Sequence, residues 1–106
     1  MEHTTDAWDE NLPGLSRELH QAVQSHRLSQ RTASVYQHWI RQYLTFYELE
    51  NPKVLSEKNV SQFLRYLRKR LALSRARLNQ AREALIFLYE KVLKRPIKHE
   101  ELPAFN

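Results

Sequence analysis

An all-α domain, built as a compact four-helix bundle, follows from three features of this chain. Glycine occurs once in 106 residues, at position 14, whereas β-hairpin turns and phosphate-binding loops both require glycines. The four prolines stand at 13, 52, 96 and 103, where helices should stop, because proline lacks an N–H and clashes with the preceding helical turn. Apolar residues recur at steps of three and four over four segments, the spacing that keeps them on one side of a helix.

The first segment runs from Leu15 to about Arg27, with Leu15, Leu19, Ala22 and Val23 on one stripe. Ser29 is placed to cap the second, Gln30 to about Leu49, along which Ala33, Tyr36, Ile40, Tyr43, Leu44 and Tyr47 recur before Asn51-Pro52 breaks the helix. The three tyrosines of that stripe are expected to pack in the core with hydrogen-bonded hydroxyls. Ser56 caps a third, Glu57 to about Ala72, carried by Val60, Phe63, Leu64, Leu67 and Leu71. Glu57 then lies in a first turn, where a negative charge meets the positive end of the helix dipole. Ser74 caps the fourth, which reaches about Lys94 on Leu78, Ala81, Leu85, Leu88 and Val92, and Pro96 closes it. Connections this short make successive helices neighbours.

The fourth helix changes character along its length. Leu85, Ile86, Phe87, Leu88 and Tyr89 are consecutive apolar or aromatic residues, so this half should be surrounded by other helices. Its first half, Arg75 to Arg82, carries basic and amide side chains around most of its circumference and should reach the surface. The expected organisation is an acidic arm over residues 1–14, a helical domain over 15–97, and a tail or linker over 98–106.

At this length, with 42% hydrophobic and 27% charged residues, one domain can bury a core without covalent staples. Cysteine is absent, which excludes disulfides and thiolate metal sites and fits a reducing compartment. The first ten residues carry four acids and no Lys or Arg, the wrong charge for a signal or transit peptide. No apolar run approaches the ~20 residues that span a bilayer. A soluble protein without a membrane partner is expected.

The net charge of +5 is unevenly placed: −4 over residues 1–14, +2 over 15–64, +8 over 65–95 and −1 over 96–106. A basic block of this kind favours a polyanion, because Lys and Arg release counterions condensed on it. Two clusters stand out. On the second helix Arg31, Ser34, His38, Arg41, Gln42 and Thr45 fall within an arc of about 100° opposite the core stripe, with no acid on that face before Glu48. The second cluster comprises Arg65, Arg68, Lys69 and Arg70, then Ser74, Arg75, Arg77, Asn79, Gln80 and Arg82. Arg68 to Arg70 oppose the negative end of a helix dipole, which is reason enough for them. Arg75 and Arg77 lie in a first turn, where positive charge is unfavourable, so a ligand should favour them there. A phosphate would, since free backbone N–H groups and guanidinium groups both bind it. Asn79, Gln80 and Arg82 are of the types that read base edges in a major groove. The chain has no His-Glu-x-x-His, Gly-rich phosphate loop or Gly-x-Ser-x-Gly, and its five histidines lack metal-site spacing. Catalysis by this chain alone, a cofactor and a small-molecule ligand are not expected.

These residues resemble a known family. The ordered set is Ser29-Gln-Arg-Thr32, Tyr36, Trp39-Ile40-Arg41, Phe46, Pro52, Leu55-Ser56, Val60, Phe63-Leu64, Leu67, Gln80-Ala81, Ala84-Leu85, Phe87, Tyr89 and Lys91-Val92-Leu93. It resembles the core-binding, SAM-like domain of tyrosine recombinases over residues 15–97, with integron integrases as the branch most alike. The resemblance implies an orthogonal four-helix bundle that forms the N-terminal half of a C-shaped clamp on duplex DNA. In that family the Arg-His-Arg-Tyr chemistry resides in a second domain. It further implies a recombination site and sister protomers as partners, a bacterial cytoplasmic location at the nucleoid, and helices two and four toward DNA. The implied contact residues are Ser29, Arg31, Thr32, Ser34, His38, Arg41, Arg68, Lys69, Ser74, Arg75, Arg77, Asn79, Gln80 and Arg82. Where the family commonly has Ser-Thr entering the fourth helix this chain has Ala76-Arg77, a cation in place of a hydroxyl. Two other readings compete: a helical protein-interaction module whose basic face meets an acidic protein, and a helix-turn-helix regulator, disfavoured because no Gly-containing turn precedes a short recognition helix.

Overall fold

A computed structural model describes residues 12–105, and the acidic stretch expected as an arm lies almost wholly outside them. The described residues are helical, with no strand among them: α1 (Leu15–Ser25), α2 (Gln30–Phe46), α3 (Glu57–Lys69) and α4 (Arg75–Phe87). A 3-10 turn at Pro52–Val54 joins α2 to α3, a π turn at Leu88–Val92 extends α4, and a 3-10 turn at His99–Glu101 lies in the tail. The three serine caps are where they were expected. Ser29 Oγ accepts from the Thr32 N–H at 3.1 Å and Ser74 Oγ from the Arg77 N–H at 3.2 Å. At α3 the Asn59 side-chain oxygen accepts from the Ser56 N–H at 2.9 Å. Each bond satisfies a backbone donor that a helix start leaves orphaned.

The helix ends, α4 taken with its π turn, fall two or three residues short of the expected limits. The chain turns left-handed at Arg27 (φ 54°), Glu48 (55°), Leu49 (62°), Ala72 (51°) and Lys94 (56°), none of them glycine. The Leu28 N–H reaches Val23 O at 3.1 Å and the Leu49 N–H reaches Leu44 O at 2.7 Å, the six-to-one closure of a Schellman cap. With α3 ended at Lys69, Leu71 leaves the stripe assigned to it and is 50% exposed. In the left-handed region a Cβ crowds the backbone, and glycine relieves that crowding while losing more entropy on folding. The exposed Ala72→Gly change is therefore expected to stabilise the domain by about 0.5–1 kcal/mol, raising the melting temperature by about 2–5 °C in calorimetry.

α4 is the central rod. Ala84, Leu85, Ile86, Phe87, Leu88 and Tyr89 are all buried, and its most extensive packing is against α2, with α3 beside it and α1 against the π turn. Tyr43 and Tyr47 have the hydrogen-bonded hydroxyls their spacing implied, whereas Tyr36 contributes a ring contact. Tyr47 donates to Asn59 O or Gln62 Oε1, each 2.8 Å away. The half-buried Tyr36 ring packs on Phe87, 5.3 Å between centroids. Tyr43 and Tyr89 are fully buried with their hydroxyls 2.8 Å apart, and Tyr89 donates to Pro52 O at 2.9 Å. The guanidinium of Arg95 lies 4.7 Å above the Tyr89 ring and bonds the carbonyls of Lys53 and Leu55.

Burial pushes both core phenols up, Tyr89 to about 12, with the neighbouring Tyr89 raising Tyr43 further and Arg95 opposing both rises. The neutral form is thus favoured in the fold, and the sign follows: this stability is complete below the unfolded phenol value of about 10 and is lost as pH rises above it. The unfolding free energy from urea titrations should hold steady up to pH 10 and then decline by about 1.4 kcal/mol per pH unit for each of these phenols, moving the midpoint down with it. A midpoint still level at pH 11.5 would contradict the assignment.

The segment after Pro96, whose residues from 98 on were expected as a tail or linker, packs on the core. Ile97, Leu102 and Phe105 are buried, each burial contributing about 1.5–3 kcal/mol. Ser61 Oγ donates to Glu101 O at 2.8 Å, and the Lys98 N–H donates to Glu57 Oε2 at 2.9 Å, which with the helix N-terminus holds that carboxyl below its ordinary value. His99 Nε2 and Glu90 Oε2 are 2.7 Å apart. Helical periodicity stops at Pro96, so spacing gave no signal for this packing.

Candidate nucleic-acid interface

The packing of α2 on α4 brings the two polar clusters onto adjoining surfaces. Arg31 and Thr32, from the first turn of α2, line a groove with Ala76, Asn79, Gln80 and Glu83 of α4. About two turns further along α2, His38 packs edge-on against Trp39 at 4.7 Å between centroids, and the Arg77 guanidinium lies 5.5 Å from the Trp39 ring centre. This contact lets a first-turn cation remain against an opposing helix dipole, through attraction to the indole face. Ser34, His38 and Arg41 are exposed along α2. Trp39 sits on the flank of the core stripe and was not among the expected site residues, although its place beneath a guanidinium makes it the floor of this surface.

A second depression joins α3 to the mouth of α4. It is lined by Arg68, Leu73, Arg75 and Leu78 together with Ala104 and Phe105 of the tail. Arg75 and Arg68 are exposed, and among the described residues neither is held by an acid. Lys69 is exposed at the last turn of α3. Ser29 and Ser74 are exposed, with their oxygens engaged as caps, and Ser29 Oγ also donates to Thr32 Oγ1 at 3.0 Å.

Two residues expected to read bases, Asn79 and Arg82, bond the backbone of the tail. Arg82 Nε donates to Pro103 O at 3.0 Å, its terminal nitrogen donates to His99 O at 3.1 Å, and Glu83 pairs with it at 3.6 Å. Its side chain is only 18% exposed. Asn79 Nδ2 donates to Phe105 O at 2.9 Å. Both polar heads are held by the tail's backbone, and a carbonyl acceptor 17 to 26 residues away leaves no mark in sequence. Gln80 remains exposed on the groove.

Among the described residues no group of three or more His, Cys, Asp or Glu could hold a metal, and no helix is long and apolar enough to cross a membrane.

The sequence of this chain has known relatives. Two proteins named integrase/recombinase, one from Escherichia coli and one from Pseudomonas aeruginosa, are each 33% identical to this chain over 76 residues, 72% of its length and 23% of theirs. The chain thus spans about a quarter of the length of the curated relatives it matches. The sequence model of the family described as phage integrase, N-terminal SAM-like domain, matches residues 15–99, and the chain accordingly belongs to that family.

Proposed function

We propose that this domain binds duplex DNA as the N-terminal clamp half of a site-specific tyrosine recombinase, most like the integron integrases, with the strand-exchange chemistry carried by another domain of a longer protein. The observation that carries the reading is the pair Arg75 and Arg77. They sit in the first turn of the central helix, against its dipole, beside Arg68 on one side and the acid-free face of α2 on the other. Phosphates would stabilise both cations there. Arg31, Thr32, Ser34, His38, Arg41 and Gln80 extend the contact along α2 and the groove, and Arg68, Lys69, Ser29 and Ser74 border it. The partners are a recombination site and sister protomers at synapsis, in the bacterial cytoplasm at the nucleoid.

The reading is tested by a mobility-shift titration of duplex DNA at several salt concentrations. Log K should fall with log salt at about 0.9 per phosphate neutralised, and Arg75→Ala with Arg77→Ala should cost more affinity than Lys98→Ala, which removes an exposed lysine paired with Glu101. No shift at low salt with high-micromolar protein would overturn it. Saturable 1:1 binding of an acidic protein with indifference to DNA would favour the interaction module instead.

A further inference from the structure

We infer that the tail, residues 98–105, is a strap that builds one wall of the phosphate-contact depression, and that Arg82 and Asn79 are its anchors, positioning residues that act on DNA affinity without touching DNA. The inference rests on the proposed duplex-binding role and deepens it. Ala104 and Phe105 line the same depression as Arg68 and Arg75. The backbone that presents them is held at His99 O and Pro103 O by Arg82 and at Phe105 O by Asn79. On the opposite side Glu57, Ser61 and Glu90 hold Lys98, Glu101 and His99.

The alternative, a tail that masks Asn79 and Arg82 and gives way to DNA, fits the burial poorly. Leu102 and Phe105 are 5% and 8% exposed, so releasing the tail would open the apolar core, which a competitor for two side chains cannot compensate. A wall has a definite consequence instead. It excludes water from one side of the Arg68–Arg75 depression, and charge-assisted hydrogen bonds strengthen as the surrounding dielectric falls.

The test is a double-mutant cycle on duplex affinity with Arg75→Ala, Arg82→Met and both together, with helicity followed by circular dichroism. Methionine keeps the apolar stem of Arg82 and removes its three polar contacts. Arg75→Ala should cost about 10-fold in the wild-type chain and under about 2-fold beside Arg82→Met, the non-additivity of coupled sites. A merely structural loss would leave the two changes additive, which overturns the strap, as would tighter binding by Arg82→Met. A chain ending at Leu102 repeats the comparison without altering a cation. It should weaken binding as Arg82→Met does, and wild-type affinity there would overturn the inference. Failure of the wild-type chain to bind duplex at all overturns the proposed function, and the inference with it, whereas binding with additive losses overturns the strap alone.

Discussion

Arg75→Glu combined with Arg77→Glu is expected to abolish measurable duplex binding, a loss of at least about 100-fold at low salt, while leaving thermal stability close to wild type. The binding loss comes from removing two phosphate contacts and adding two repelling charges at the mouth of α4. The near-constant stability follows from two terms that offset each other. Both positions lie in the first helical turn, where an acid gains about 0.3–1 kcal/mol from the dipole, against the loss of the Arg77 contact with Trp39, worth about 0.5–1 kcal/mol at an exposed site. The net change should stay within about 1 kcal/mol. Titration by fluorescence anisotropy and a thermal melt of the same preparation check both halves. Retained affinity in a folded variant would show that these two cations do not meet DNA.

The largest stability effects should come from the buried hydroxyl pair, and they should be unequal. Tyr89 donates to the carbonyl of Pro52, which has no proton to return, so the single hydroxyl proton of Tyr89 is committed there. Tyr43 must then donate across the 2.8 Å separation to the Tyr89 oxygen. Tyr89→Phe removes both bonds and leaves the Tyr43 hydroxyl buried with nothing to accept from it, at a cost of about 2–3 kcal/mol. Pro52 O keeps the Leu55 N–H at 3.1 Å, which limits the damage on that side. Tyr43→Phe removes one bond and leaves Tyr89 with its acceptor, at a cost of about 1 kcal/mol. Urea denaturation of the two variants decides between this proton order and a symmetric one, in which the two costs would be equal.

Much of the architecture was legible in residue spacing. Ser29, Ser56 and Ser74 announced three helix starts because a hydroxyl followed by a helical stripe has few other uses, and the run from Leu85 to Tyr89 identified the central helix because only full enclosure satisfies apolar residues on every side. Helix ends were less legible. They lie at left-handed residues such as Ala72 and Lys94 that carry no glycine signal. The packing of the tail was not legible for a related reason: Leu102 and Phe105 follow no period, and their burial depends on where α3 and α4 leave space. Charge and residue type singled out Arg75, Arg77, Asn79 and Arg82 alike, and they carried no sign that the last two would find acceptors in the tail's backbone. Side-chain type states what a group can bond; only the fold decides which acceptor is within reach.

The contact of Arg77 over the Trp39 ring, with His38 edge-on beside it, carries a practical consequence. The chain has two tryptophans, Trp8 and Trp39, so Trp8→Phe would leave one indole chromophore, lying directly under the cationic surface. Its ultraviolet emission should then change in wavelength or yield as an oligonucleotide lifts the Arg77 guanidinium away, giving an unlabelled optical reporter of docking built into the protein itself.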